Sequence, residues 1–181
     1  MPMTDTVADF LIRLKNASMV RKEWVDADYS SIREQLAKLL KNEGYIMDYK
    51  IFEFPFEKYL KKSYSKILLE KFKTTEMSQI PLDKLQSIDW SEYLKDGYSL
   101  ENVPKRKFIR VFLKYGPQGE RVIREVKKIS KPGRRIYVGK DEIPLVRAGL
   151  GTVILSTNKG LLPGYQARKL GIGGEVICFI W

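Results

Sequence analysis

One short polar segment, residues 156–160 with the sequence STNKG, follows an apolar run and carries side chains suited to nucleic-acid contacts. Short hydroxyl and amide groups can bond to phosphate oxygens and to the 2′-hydroxyls of the RNA minor groove, and a lysine adds a cation. The same residues can instead form a surface turn that caps the next helix. The candidate RNA contacts in this segment are Ser156, Thr157, Asn158, Lys159 and Gly160.

A basic turn, residues 131–137, combines cations with an aromatic ring. Arginine guanidinium groups can bind phosphates through two parallel hydrogen bonds, and a tyrosine ring can stack on an unpaired base. The alternative is an edge strand whose arginines face solvent. The candidate RNA contacts here are Lys131, Arg134, Arg135 and Tyr137.

The sequence GIGGEV places Glu175 directly after Gly173 and Gly174. Glu175 can orient Lys159 or an arginine, accept a hydrogen bond from a base amino group, or face solvent. The glycines allow a tight turn between a helix and a strand, or the close approach of another backbone or of an RNA. A dinucleotide-binding G-x-G-x-x-G motif is excluded, because valine stands at the last position and a strand follows.

The composition argues against most enzymatic chemistry. The chain has no histidine and one cysteine, Cys178, so it lacks the commonest general base, an internal disulfide and the usual ligands of structural zinc. Cys178 lies in the apolar run EVICFIW, which predicts a buried, unreactive thiol. We therefore expect no enzyme, no catalytic residue, no metal and no cofactor.

The positive charge is concentrated in the middle of the chain. The net charge is +11 over 181 residues, and residues 105–147 hold 14 basic and 4 acidic side chains, whereas residues 1–104 hold 16 and 17. Such a concentration is typical of a surface that binds nucleic acid. A membrane surface, an acidic protein and a plain solvated face are the alternatives. The chain shows neither a membrane-spanning run nor a signal peptide, so a cytoplasmic protein without a membrane partner is expected.

The periodicity of apolar residues predicts an α+β fold. Residues 4–17 and 31–43 predict helices, the first capped by Thr4 with Asp5 in its first turn, the second opened by a Ser31-x-x-Glu34 capping box and ended at Gly44. Residues 107–130 predict a basic β-hairpin closed by GPQG. Further strands are expected in KPGRRIYV, GTVILST and EVICFIW, and helices in IPLVRAGLG and LPGYQARKLG.

Residues 52–104 differ in composition from the rest, with nine aromatic residues, eight lysines and nine acidic residues. This richness in aromatics predicts a small packed subdomain. YLKKSYSKILLEKF fits either a strand or a helix, whereas PLDKLQSI and SEYLKDG predict short helices. The expected organisation is an N-terminal α-β-α-β-β domain (1–52 and 105–130), an inserted aromatic-rich subdomain (53–104) and a C-terminal, mainly β RNA-binding domain with short helices (131–181).

Several motifs resemble, in register, small-subunit ribosomal protein eight of the bacterial type. They are the IY pair in KPGRRIYV, the segment KDEIP, AGLG, the ST-x-KG loop and GIGGE, preceded by the opening helix TDTVADFLIRLKNA and by LLKNEGYIMDYKI. The resemblance covers about residues 3–51 and 106–181.

The resemblance implies a two-domain primary binding protein for a helix in the central domain of small-subunit rRNA. Such a protein supports platform assembly beside neighbouring small-subunit proteins in the cytoplasmic ribosome, and in many bacteria it represses its own operon by binding a similar mRNA structure. The RNA contacts of the family fall on Ser156, Thr157, Lys159, Gly160, Tyr137 and Glu175. Arg13 and Asn16 match the N-terminal helix motif and are further candidates.

The chain departs from the family pattern at two places. Asn158 stands where the loop usually has a second serine, and the segment near 53–105 replaces a short turn. Long insertions at a hairpin tip are tolerated because the cost of closing a loop grows slowly with its length. We expect the insertion to lie at the subunit surface, in contact with rRNA or a neighbouring protein. Two rival classes are an RNA-processing enzyme using Glu175 and Lys159 as acid and base, and a module that binds an acidic protein.

Overall fold

The computed structural model describes residues 5–181, which form helices and two β-sheets and confirm the predicted α+β class. The helices are α1 Thr6–Met19, α2 Ser31–Asn42, α3 Tyr64–Phe72, α4 Leu82–Gln86 and α5 Gly164–Leu170. The strands are β1 Trp24–Asp28, β2 Ile46–Pro55, β3 Lys105–Leu113, β4 Val126–Lys128, β5 Tyr137–Val138, β6 Thr152–Thr157, β7 Gly160–Pro163 and β8 Gly174–Ile180. One sheet has the order β1-β3-β2; the other has the order β4-β8-β6-β7, with β5 also paired to β8.

The chain divides into two compact units. The first unit contains the described part of Met1–Val25 together with Ser30–Tyr49 and Val111–Trp181, and the second contains Asp26–Tyr29 and Lys50–Arg110. The sequence candidates for RNA contact all belong to the first unit.

The two long helices of the first unit begin at polar caps that differ from the predicted ones. Asp5 caps α1, because its carboxylate accepts from the Ala8 amide at 2.9 Å; the predicted cap Thr4 lies outside the described residues. Ser30, rather than Ser31, caps α2 and accepts from the Arg33 amide at 3.3 Å. Both helices bury their apolar faces, whose most enclosed side chains are Phe10, Leu11, Leu14, Leu36, Ala37 and Leu40.

The predicted basic hairpin over residues 107–130 is wrong. An isolated bridge between Tyr115 and Arg121 closes the GPQG turn, but the chain then leaves β3. β4 pairs instead with the last strand, with Val126 opposite Ile180. Alternation along a strand predicts which faces it exposes but not its partner, because pairing depends on residues distant in the chain.

The five-stranded sheet is built around β8, which pairs with β4, β5 and β6. Its core contains Val153, Leu155 and Val176, packed with Ala167 of α5. Cys178 is fully buried, as predicted, and this burial raises the pKa of its thiol to about 12, which disfavours the reactive thiolate. The predicted helix in IPLVRAGLG is only a 3₁₀ turn at Arg147–Gly149, since Ala148 has a left-handed backbone.

The second unit has an aromatic core. Phe54 packs on Trp90 with ring centroids 4.6 Å apart, and Phe52 stacks on Phe108 at 5.4 Å. α3 resolves the strand-or-helix alternative and buries Ile67 and Leu68 against these rings. α4 confirms a helix in PLDKLQSI, whereas SEYLKDG forms only a 3₁₀ turn at Trp90–Tyr93.

A buried arginine of β3 braces the second unit. Arg110 is completely buried and pairs with Asp26 through two hydrogen bonds of 2.7 Å. It also donates to the carbonyl oxygens of Met77, at 3.1 Å, and Ile80. This side chain therefore does not join a solvent-facing basic surface, as the predicted hairpin required; it holds the segment 77–80 against the sheet.

Candidate nucleic-acid interface

The segment STNKG forms the tip of a β-hairpin between β6 and β7. Thr157 lies opposite Gly160, and Asn158 and Lys159 make the turn. The Thr157 hydroxyl accepts from the Lys159 amide at 3.1 Å and donates to the Gly160 carbonyl at 2.9 Å. Gly160 has a φ of +91°, a left-handed conformation that glycine adopts without strain. The tip is thus a shaped turn that leaves Asn158 and Lys159 exposed.

The alternative in which STNKG caps the following helix is wrong. β7 comes between the tip and α5, and α5 begins only at Gly164, after Pro163, without a side-chain cap. The predicted helix LPGYQARKLG therefore starts two residues late. Leu161 and Leu162 are held in the ladder opposite Ser156 and Leu155, and this pairing outweighs their helical preference.

Three candidate residues form a row across neighbouring strands. Ser156 on β6 lies opposite Glu175 on β8, and Glu175 lies opposite Tyr137 on β5. Directly opposite residues of antiparallel strands project from the same face of a sheet. Tyr137 is 70% exposed, so its ring can stack on another aromatic plane. The row joins a hydroxyl, a carboxylate and an accessible ring on one surface.

The Glu175 carboxylate pairs with Arg135. Oε1 of Glu175 accepts from Nη1 of Arg135 at 3.0 Å, and the glutamate side chain is only 16% exposed, against 51% for the arginine. Of the sequence-based alternatives for Glu175, orientation of an arginine is confirmed and simple solvent exposure is wrong. A guanidinium has five N–H donors, so Arg135 can be positioned by Glu175 and still bind an anion.

Gly173 and Gly174 permit the strands that carry the row to approach closely. A Cβ atom on Gly174 would lie 2.2 Å from the Ser156 carbonyl oxygen, and one on Gly173 would lie 2.2 Å from the Val138 carbonyl oxygen. The close-approach interpretation is therefore confirmed for the protein's own backbone. Any other residue at either position would push β5 or β6 away from β8.

Lys131 and Arg134 project from the turn that leads into β5. Their backbones bond to each other in both directions, at 3.0 Å and 2.9 Å, around Pro132 and Gly133, and both side chains are exposed. Ser130 anchors this turn from below, since its buried hydroxyl accepts from the Ile136 amide at 2.9 Å. The turn presents its cations on a fixed backbone.

Arg13 and Asn16 belong to α1 rather than to the five-stranded sheet. Nε of Arg13 bonds to the Asp9 carboxylate at 2.8 Å, four residues earlier on the same helix. Asn16 is exposed, and its carbonyl oxygen accepts from the Val20 amide at the end of the helix. These two residues are presented by a different element from the row.

Sequence reasoning missed the face of α2 that lies beside the hairpin tip. A cleft of about 260 Å³ separates this helix from β7 and is lined by Gln35, Lys38, Leu39, Asn42, Glu43, Lys159, Gly160, Leu161, Leu162, Pro163 and Gln166. Gln35, Lys38 and Asn42 follow one another at spacings of three and four residues, which places them on one helical face. That spacing was the available signal, but it does not reveal what the face meets.

Within residues 5–181, no three His, Cys, Asp or Glu side chains are grouped so that they could hold a metal ion. In the same range, no helix has both the length and the apolar character needed to cross a membrane.

Comparison with known proteins identifies the family. The model of the family described as ribosomal protein S8 matches residues 5–86 and 69–181. The chain is 40% identical over 181 residues to small ribosomal subunit protein uS8 of Syntrophomonas wolfei, covering all of both chains. It is 38% identical to the proteins of that name from Moorella thermoacetica, over 99% of this chain and all of the relative, and Desulforamulus reducens, over all of both chains. The chain therefore belongs to the ribosomal protein S8 family.

Proposed function

We propose that this protein binds a helix in the central domain of small-subunit rRNA as a primary binding protein and thereby supports assembly of the platform. Its family consists of structural proteins of the small ribosomal subunit, not enzymes. Residues 131–181 act as the RNA-binding domain, and the protein works in the cytoplasmic ribosome, beside neighbouring small-subunit proteins.

The observation that carries this proposal is the row Tyr137–Glu175–Ser156, which lies in one sheet with the exposed Asn158–Lys159 turn. Hydroxyl, amide, ammonium and aromatic groups are those that RNA-binding proteins use for 2′-hydroxyls, phosphates and unstacked bases. A helix with one distorted place would present all three kinds of target together.

The candidate residues contact different parts of the RNA, according to the chemistry of their side chains. Lys159, Lys131, Arg134 and Arg135 attract phosphates without regard to base sequence. Ser156 and Asn158 bond to hydroxyl or base-edge groups, and Tyr137 stacks on an exposed base. Glu175 keeps Arg135 in place, so that less side-chain entropy is lost when the arginine meets a phosphate. Gly173 and Gly174 keep the strands of the row in register.

Arg13 and Asn16 supply a second contact from α1 in this proposal. The same surface would also bind an mRNA that presents the same distorted helix, which would let the protein repress its own operon. Both roles are forms of binding without turnover, and neither requires a group that titrates near neutral pH.

The test compares Ser156→Ala/Lys159→Ala with the parent protein in binding to a central-domain rRNA fragment. We expect the double variant to lose at least tenfold in affinity, about 1.4 kcal/mol, while keeping the circular dichroism spectrum and melting temperature of the parent. Lys61→Ala/Ser99→Ala, which removes the same side-chain types from exposed positions of the second unit, is the matched control and should bind like the parent.

The salt dependence gives an independent measurement. If about six phosphates are contacted, the logarithm of the binding constant should fall with the logarithm of salt with a slope of about −5. Equal affinity of the double variant and the parent would refute the placement of the site. A parent protein that binds the fragment no better than random RNA of equal length would refute the function.

A further inference from the structure

The second unit carries a cationic cleft built from residues outside the family motifs. This cleft, of about 350 Å³, is lined by Lys71, Phe72, Lys73, Thr74, Gln79, Ile80, Pro81 and Lys84. We propose that it is a second RNA-binding site, in which Lys71, Lys73 and Lys84 hold backbone phosphates of the small-subunit rRNA. This inference rests on the proposed rRNA-binding function and extends it to a part of the chain for which the family motifs imply no role.

The charge of the cleft is unlike that of its unit. Residues 52–104 hold eight lysines and nine acidic residues, so the segment as a whole is nearly neutral. The cleft, by contrast, is lined by three lysines and no acidic side chain. A concave surface of one sign concentrates its field and raises the local concentration of the opposite charge.

The lysines of the cleft form few contacts with acidic groups, although Lys71, after the hydrogen bonds from Ser91, helps to lower the pKa of the Asp89 carboxyl. Elsewhere in the unit, Lys61 pairs with Asp96 and Lys62 with Glu70. Within residues 5–181, Lys73 and Lys84 form no ion pair, and the ammonium group of Lys71 lies 5.6 Å from the centre of the Tyr93 ring, a contact that leaves its charge intact. An anion in the cleft would be attracted by three exposed ammonium groups at once.

The backbone of the cleft is held in a costly conformation. Lys73 ends α3 with a φ of +57°, a left-handed conformation that costs a non-glycine residue roughly 1–2 kcal/mol. The amide of Lys73 donates to the Leu69 carbonyl at 3.0 Å, so the residue is fixed in this position. A left-handed residue is a common helix ending, and here it fixes the point from which the Lys73 side chain leaves the backbone.

The floor of the cleft is rigid. Ile80 is 2% exposed, and its carbonyl oxygen accepts from the completely buried Arg110. On the other side, the Thr74 hydroxyl donates to the Gln79 side chain at 2.7 Å, and Gln79 donates to Glu76 at 2.9 Å. The lysines thus stand on a braced surface. Ammonium groups bind phosphate oxygens as point charges, which suits the backbone of RNA irrespective of its base sequence.

The experiment uses the full chain with Lys73→Gln/Lys84→Gln, and with Lys61→Gln/Lys62→Gln as a control of equal charge change outside the cleft. Each protein is titrated with full-length small-subunit rRNA and, separately, with the short central-domain fragment. For the cleft variant on the full-length rRNA, we expect the salt slope to become less negative by about 2, because each phosphate contact contributes about 0.9. Relative to 1 M salt, a slope change of about 1.8 corresponds at 0.1 M salt to a fall in affinity of roughly 60-fold.

The fragment separates this inference from the proposed function. Binding of the fragment should be the same for the parent, the cleft variant and the control, since the fragment contacts only the first unit. Acetylation of lysines, measured by mass spectrometry, should show Lys73 and Lys84 protected by the full-length rRNA and Lys61 and Lys62 accessible. Unchanged affinity and salt slope of the cleft variant on full-length rRNA would overturn the inference while leaving the fragment result intact. Protection of the cleft lysines only after other small-subunit proteins are added would overturn it in favour of an acidic protein partner.

Discussion

Substitution of Gly174 by alanine tests whether the candidate interface depends on the close packing of β8 against β6. The new Cβ would lie 2.2 Å from the Ser156 carbonyl oxygen and 3.2 Å from Cγ2 of Thr157. Real Cβ contacts are essentially never shorter than 3.0 Å, so the two atoms must separate by at least the difference, 0.8 Å. Because the atom it meets belongs to the backbone, no side-chain rotation can relieve the clash.

The loss of folding stability in Gly174→Ala depends on how the backbone relieves this clash. Forcing extra atoms into a close-packed region costs about 1–3 kcal/mol, and we expect the upper end, about 3 kcal/mol, because β6 and β8 must move apart. Ser156 and Glu175 lie opposite each other at this place, so the row of RNA contacts moves with the strand. Binding sites tolerate displacements of only about 0.5 Å, and a loss of at least tenfold in rRNA affinity is therefore expected.

The control is Gly133→Ala, in the turn next to β5. A Cβ atom on Gly133 meets nothing within 4 Å, and its φ is not in the left-handed region. The assays are hydrogen exchange of the β6 and β8 amides, which reports the stability of this unit, and titration with the central-domain fragment. If Gly174→Ala matched Gly133→Ala within 0.5 kcal/mol in stability and in binding, the reasoning about the packing of the row would be refuted.

Two other predictions concern buried groups. Burial raises the pKa of Cys178 from 9.0 to about 12, so above pH 9 the unfolded state loses this proton while the folded state keeps it. Between pH 8 and pH 10.5, the free energy of unfolding of the parent should therefore fall by about 2 kcal/mol more than that of Cys178→Ala. Urea unfolding at the two pH values measures this difference. Equal pH dependence of the two proteins would contradict the burial of the thiol. Arg110→Met leaves the buried Asp26 carboxylate without this cation and should destabilise the second unit by about 3–5 kcal/mol. The double variant Arg110→Met/Asp26→Leu should recover part of that stability. Hydrogen exchange measures the stability of the unit, and an Arg110→Met variant as stable as the parent would show that the ion pair does not stabilise it.

The elements of the fold that depend on a local sequence pattern were predictable. The apolar spacing of residues 4–17 and 31–43 predicted α1 and α2, and a cap error of one residue arose because Ser30 and Ser31 are equally good caps in sequence. β6 and β8 were predicted from their apolar runs. The strand β7 was missed, because its four residues contain no alternation long enough to distinguish them from the helix that follows.

The candidate residues were chosen by chemistry, and the structure decided how they are grouped. Nothing in the sequence places Tyr137 opposite Glu175, since 37 positions separate them and their pairing depends on the register of β5 on β8. Likewise, Glu175 had three equally good interpretations until Arg135 was found within 3.0 Å. Arg110 was placed on a basic surface by its position in an alternating strand, yet it is buried with Asp26.

The sequence by itself determined the class of this protein, because composition and local motifs act without reference to distant residues. The absence of histidine and the concentration of charge in residues 105–147 indicated a protein that binds a polyanion, and the resemblance of the ordered motifs, among them those from Tyr137 to Glu175, indicated the family. Only the tertiary structure decided which side chains share a surface, which arginine is hidden and which lysines line a cleft. The physical reason is that strand register and burial are set by contacts between residues far apart in the chain. The sequence of either segment alone contains no periodic pattern that reveals such contacts.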